Sequence, residues 1–188
     1  LARGGLCEKA EAFAAFAEEN PLTHLWRGWC AWNQRQDSLA LLLWEPLLSG
    51  PDSLAAWAAY ASAHALYRLK RPEEALAYLK RVPRSPLTPG PEALWMTAQV
   101  AWQLRLYETA QEALEAYLTL FPASSQPEAR RWLAECLAAR GHFTEALAQL
   151  DTTPALYEVR QRLYLMAGFQ ALKNQAFAQA ESLFHRAS

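Results

Sequence analysis

The chain has 188 residues, 52% of them hydrophobic and 20% charged, with a formal net charge of −1. It holds 37 Ala and 31 Leu but only 3 Val and no Ile, a helix former's composition that excludes a sandwich, a barrel and a doubly wound parallel sheet. The near-neutral charge speaks against a nucleic-acid role, because phosphate affinity needs a basic surplus, and no apolar run approaches the ~20 residues of a membrane span.

In chain order, Leu1 to Ala17 reads as a single helix, the second half of a two-helix unit. Two-helix units then follow over residues 21–55, 56–90, 91–126, 127–160 and 161–188. Proline stands where a helix should start or stop, at Pro21, Pro51, Pro72, Pro91, Pro122, Pro127 and Pro154; it is tolerated in a first turn and breaks an interior one. Pro46 falls inside a predicted helix and should kink it or end it early. The spacing predicts a helix over Pro91 to Leu104, with Leu94, Thr97, Ala98 and Ala101 on one stripe. Its successor buries Tyr107, Ala110, Leu114 and Tyr117 and ends at Pro122. Four prolines between Val82 and Glu92 make a stiff, non-helical connector, readable as an inter-repeat loop or as a proline-rich ligand for another domain.

These units share a period. Ala10, Ala40, Ala75, Ala110, Ala146 and Ala180 each follow a turn and a polar residue, at spacings of 30, 35, 35, 36 and 34. Such a period marks a repeat architecture. Around the Ala, recurring positions hold Gly28, Ala63, Ala98 and Gly168 upstream and Trp44, Leu79, Leu114, Leu150 and Phe184 downstream.

This pattern resembles the tetratricopeptide repeat family, a helix–turn–helix of about 34 residues. The last unit carries it well, with Gly168, Ala180, Phe184 and Ala187. The usual large residue at the fourth position is replaced by His24, Ala59 and Arg130 in three units. The resemblance implies an all-α, right-handed α-solenoid of about five and a half units, residues 1–20 being a partial repeat. No polar capping helix follows the last unit, although solenoids need caps for solubility. The chain is therefore expected to be a piece of a longer array, or to self-associate through an uncapped end.

The resemblance also implies which face works. Residues 2, 5, 9 and 12 of each first helix lie roughly 140° from its packing stripe and would line a concave groove. In three successive units this stripe holds Leu22, Leu25, Trp29 and Trp32, then Trp57, Tyr60, His64 and Tyr67, then Glu92, Trp95, Gln99 and Trp102. Five of the eight Trp stand on it, unlike a solvated face. Trp and Tyr dominate binding hot spots, so Leu25, Trp29, Trp32, Trp57, Tyr60, His64, Tyr67, Trp95, Gln99 and Trp102 are the candidate groove for an apolar or amphipathic peptide or helix. The competing reading packs these rings against one another as core. Farther on, Glu128, Arg131, Glu135 and Ala138, then Arg162, Leu165, Phe169 and Leu172, mix charge with apolar surface. The Lys, Arg and Asn clamp of carboxylate-gripping relatives is not visible.

No HExxH, Gly-rich phosphate loop or GxSxG is present, and His24, His64, His142 and His185 stand in four different repeat phases. No enzyme activity, cofactor or metal is expected. Cys7, Cys30 and Cys136 are too few for a disulfide scaffold and read as small buried apolar residues. Arg68, Lys70, Arg71, Lys80, Arg81 and Arg84 cluster near one turn, interrupted by Glu73 and Glu74. The expected role is a protein-interaction scaffold, alternatively a ligand-sensing or regulatory arm of a larger multidomain protein. The compartment, cytoplasmic or bacterial periplasmic, is left open.

Overall fold

The computed structural model describes residue 7 and residues 20–50, 52–121, 127–150 and 156–187. These residues form ten α-helices and no strand. They are α1 (Pro21–Asn33), α2 (Asp37–Trp44), α3 (Asp52–Arg68), α4 (Pro72–Leu79), α5 (Gly90–Gln103), α6 (Tyr107–Leu120), α7 (Pro127–Ala139), α8 (Phe143–Leu150), α9 (Tyr157–Lys173) and α10 (Phe177–Ala187). Two units divide the chain, residues 1–100 and 101–188.

In the first unit α1 packs on α2 and α3 on α4, with α2 also meeting α3. In the second, α7 packs on α8 and α9 on α10, while α6–α7 and α8–α9 join successive pairs. Pro21, Pro72 and Pro127 are the first residues of α1, α4 and α7, and Pro91 is the second of α5. Their fixed φ suits a first turn, where the missing N–H has no partner to lose. Asn20 caps α1 in a reciprocal box, accepting from the Thr23 N–H at 3.0 Å while Thr23 Oγ1 accepts from the Asn20 N–H at 3.2 Å. Pro46 acts as expected: α2 stops at Trp44 and Glu45–Ser49 tightens into a 3₁₀ turn. The predicted helix ends at Pro51, Pro122 and Pro154 and the helix over Leu1 to Ala17 lie outside the described residues, as does Ala10.

The periodic alanines recur near the start of every second helix. Ala40, Ala75, Ala110, Ala146 and Ala180 are all fully buried, because only a methyl fits where two helix backbones approach. One turn of backbone recurs with them. Arg35, Lys70, Arg105, Gly141 and Gln175 all adopt positive φ, between 58° and 84°. The residue after each donates its N–H back to the carbonyl of Ala31, Leu66, Ala101, Leu137 and Ala171 respectively, at 2.8–2.9 Å. This closes each first helix in a Schellman-type cap. Only Gly141 occupies that left-handed position without steric cost.

Small-against-large packing closes the pairs α1–α2 and α9–α10. Trp44 lies across α1 at Gly28, where any Cβ would strike its indole, and its Nε1–H donates to the Leu25 carbonyl at 3.2 Å. Gly168 likewise makes room for the Phe184 ring. The cysteine reading needs correction: Cys7 and Cys30 are joined in a disulfide, their Cα atoms 5.4 Å apart. The pairing brings a residue before α1 onto that helix, a contact no local pattern encodes. Cys136 stays free and buried, as expected of it.

Candidate functional site

The stripe residues of the first unit come together as a run of rings. Trp29 and Trp32 lie one turn apart on α1 with centroids 5.2 Å apart at 87°. Trp29 also meets Trp44 of α2 at 6.0 Å. Trp32 reaches across to His64 of α3 at 6.2 Å. His64 stands edge-on to Tyr60 at 4.7 Å, and Tyr60 to Trp57 at 6.1 Å. Each step is the edge-to-face arrangement that the ring quadrupoles favour. The run therefore reads Trp44, Trp29, Trp32, His64, Tyr60, Trp57 across three helices.

Burial grades along it. Leu25, Trp29 and Trp32 are half-buried against the core of Ala31, Ala40, Trp44, Leu47, Ala58, Ala61 and Ala65. Trp57, Tyr60 and His64 are half-buried on α3, and Tyr67 at the end of that helix is 40% exposed. On α5, Trp95 is half-buried and Gln99 exposed. Trp102 belongs to the second unit, where its ring packs edge-on to Tyr107 at 5.1 Å and Trp132 at 5.8 Å.

A charged clamp fixes the middle of the run, and the sequence reading did not anticipate it. Arg68 at the end of α3 engages both carboxylate oxygens of Asp37, with its Nε at 3.1 Å from Oδ2. Its Nη2 also donates to the Trp32 carbonyl at 2.7 Å, and its guanidinium sits 4.5 Å from the Trp32 ring centroid. Asp37 is buried in the first turn of α2, where its charge also suits the positive helix end. The fork thus ties the end of α1 and the start of α2 to α3. The Trp32 Nε1–H is buried and finds no acceptor among the described residues, so ring contacts and the cation–π contact hold that side chain.

The same surroundings tune two titrating groups. Burial, and secondarily the Arg68 charge, push the His64 imidazole below its ordinary value, favouring the neutral ring. Burial, and secondarily Glu92, push the Tyr60 phenol up, so it stays protonated and able to donate.

The basic cluster is largely engaged within the chain. Arg68 is held as above, Arg71 pairs with Glu74 through two bonds, and Arg81 donates to the Leu48 carbonyl at 3.1 Å. The connector adopts no helix from Val82 to Pro89, and Leu87 within it is 75% exposed.

The second unit carries surface ion pairs and polar contacts beside its rings. Arg162 donates to Glu135 at 2.7 Å, and Arg140 reaches Glu108 at 3.2 Å and Gln111 at 2.5 Å. Burial, aided by Glu135, pushes the Cys136 thiol up to about 12, the opposite of what a nucleophile requires. Among the described residues no cluster of His, Cys, Asp and Glu is arranged to hold a metal. Nor is any helix long and apolar enough to cross a membrane.

Known proteins agree with this architecture. The tetratricopeptide repeat model matches residues 60–125 and 95–158, overlapping spans that together exceed half the chain. Among solved structures, the chain is similar to YrrB, described as a TPR protein with an unusual peptide-binding site, with TM-score 0.67 at 19% identity, covering 96% of this chain and 91% of that one. MamA matches with TM-score 0.61 at 15% identity over 89% of each chain. Nearly identical TPR-like repeats from Podosopora anserina match with TM-score 0.57 at 16% identity over 90% and 95%. No curated protein sequence matches the chain. Identities this low speak to the fold alone, an α-solenoid class of helix–turn–helix repeats. With that sequence match over more than half of its length, the chain belongs to the tetratricopeptide repeat family.

Proposed function

We propose that the chain is a protein-interaction scaffold whose first unit seats an apolar or amphipathic peptide or helix on its aromatic stripe. The observation that carries this reading is the unbroken ring run from Trp29 through Trp32, His64 and Tyr60 to Trp57. Half-buried rings of this kind supply large contact area at low entropy cost, as binding hot spots do. Trp29 and Trp32 anchor the stripe to the core, whereas Trp57, Tyr60 and Tyr67 offer its reachable end. Trp95, Gln99 and Trp102 complete the candidate set on sequence grounds. The description of YrrB as peptide-binding supports the same class of partner.

The test is a selection of displayed random peptides on the wild-type chain, with Trp57→Ala/Tyr67→Ala as the counter-bait. Both baits are checked for helicity. The expected result is enrichment of apolar or amphipathic sequences whose affinity drops at least tenfold on the double variant. Peptides that bind both folded baits equally would refute the aromatic seat.

A second reading, self-association, rests on the apolar surface of α9 and α10. There Leu172, Phe177, Ala180, Glu181, Phe184 and His185 line an open cavity of about 470 Å³. Phe169 and Phe177 are the most exposed rings in that unit, at 63% and 67%. Light scattering at rising concentration should show dimers that Phe169→Ser/Phe177→Ser abolishes; a strict monomer at all concentrations would remove this reading.

A further inference from the structure

We propose that the Cys7–Cys30 bond is a permanent structural staple installed by thiol oxidation, and that the chain works in an oxidising compartment. Three cysteines allow three pairings, and the geometry selects one. The Cα atoms of Cys7 and Cys30 stand 5.4 Å apart, inside the span a disulfide bridges without backbone movement. The third cysteine takes no part. Cys136 is fully buried and free; exchange requires a thiolate as attacker, and its buried thiol is held protonated.

Burial also decides between a staple and a switch. Regulatory disulfides are exposed or strained, because a reducing thiol must reach a sulfur in line with the bond. Cys7 is 8% and Cys30 4% exposed, so the pair is shielded once formed. A glutathione-poised cytosol keeps such thiols reduced during synthesis, whereas periplasmic and extracellular surroundings let them close. The chemistry balances simply. The two thiols lose two protons and two electrons as the Sγ–Sγ bond forms. A donor disulfide, such as that of a thiol oxidoreductase, takes them up as its own bond breaks into two thiols.

The position gives the bond a purpose. Cys30 sits between Trp29 and Trp32 on α1, on a different stripe from either ring. The cross-link joins positions 23 apart in sequence and ties Cys7 to the last turn of the helix that roots the ring run. It removes conformational freedom from the unfolded chain and keeps that helix seated. This inference stands apart from any peptide binding, and its test uses none.

The full chain is exported to an oxidising compartment, purified without reductant, denatured and treated with iodoacetamide. The expected mass shows one adduct, on Cys136, and three adducts after phosphine reduction. Peptide mapping should place the link at Cys7–Cys30. Reductant should lower the melting temperature of the wild-type chain by roughly 5–10 °C and leave a Cys7→Ser variant unchanged. Three adducts before reduction, a link involving Cys136, or a wild-type melting temperature indifferent to reductant would each overturn the proposal. The wild-type comparison stands even if the variant fails to fold.

Discussion

Residues 1–100 and residues 101–188 close their helix pairs by the same rule and finish it differently. In the first unit a glycine on α1 admits Trp44, which is fully buried with its indole N–H bonded to a carbonyl. In the second, a glycine on α9 admits Phe184, which stays half-exposed beside the exposed ring of Phe169, 5.3 Å away. The charged clamps differ in the same sense. Arg68–Asp37 is shielded, its side chains 23% and 10% exposed, whereas Arg140–Glu108 lies at the surface, at 31% and 73%. The repeat therefore dictates which residues meet, while the depth of the surroundings decides what each meeting contributes.

The largest effect should come from the buried ring. Trp44→Ala removes a fully enclosed indole and leaves a cavity, costing about 3–5 kcal/mol; Phe184→Ala should cost about half that, read as denaturant midpoints. Equal losses would erase the contrast between the units.

The clamps come next. Arg68→Ala leaves the Asp37 carboxylate buried without its partner, a loss of about 3 kcal/mol or more. Arg140→Ala breaks a solvated contact and should cost below about 1 kcal/mol. A comparable cost for both would mean that burial of the ion pair is not what matters.

A smaller effect should be common to both units. Arg35→Gly and Arg105→Gly relieve the left-handed position after a first helix, each gaining about 0.5–1 kcal/mol, and Gly141→Ala should lose about 1 kcal/mol. Thermal melts of the three variants check this, and unequal gains at 35 and 105 would show that the turns are not interchangeable.

The smallest is a pH effect confined to the first unit. The folded state resists protonating His64, whose value is lowered from 6.5, while the unfolded chain does not. Stability is then level above about pH 6.5 and declines as pH falls from there toward the lowered folded value. Urea midpoints between pH 7.5 and 5.5 should show that decline, flattened in His64→Gln.

The parts of this structure that are local in sequence were readable from it. Five of the six periodic alanines are fully buried, and Gly28 with Trp44 and Gly168 with Phe184 pair as the repeat requires, because their spacing is set by helical geometry alone. The recurring left-handed turn was not readable: Arg35, Lys70, Arg105 and Gln175 give no glycine signal, and the conformation is imposed by the packing of the helices they join. Arg68 looked like part of a basic cluster, yet it is held by Asp37, 31 residues earlier. The disulfide was missed for the same reason, since nothing in the spacing of Cys7 and Cys30 says that their backbones meet. On the stripe, periodicity identified the rings but not their grading from core anchor at Trp29 to exposed edge at Tyr67.

Backbone amide exchange, with and without a peptide selected on the wild-type chain, tests the aromatic seat most directly. The account predicts slowed exchange on binding in α1 and α3, around Trp29, Trp32, Trp57 and Tyr60, with α7 to α10 unchanged. Protection confined to residues 101–188, with α1 and α3 untouched, would contradict it.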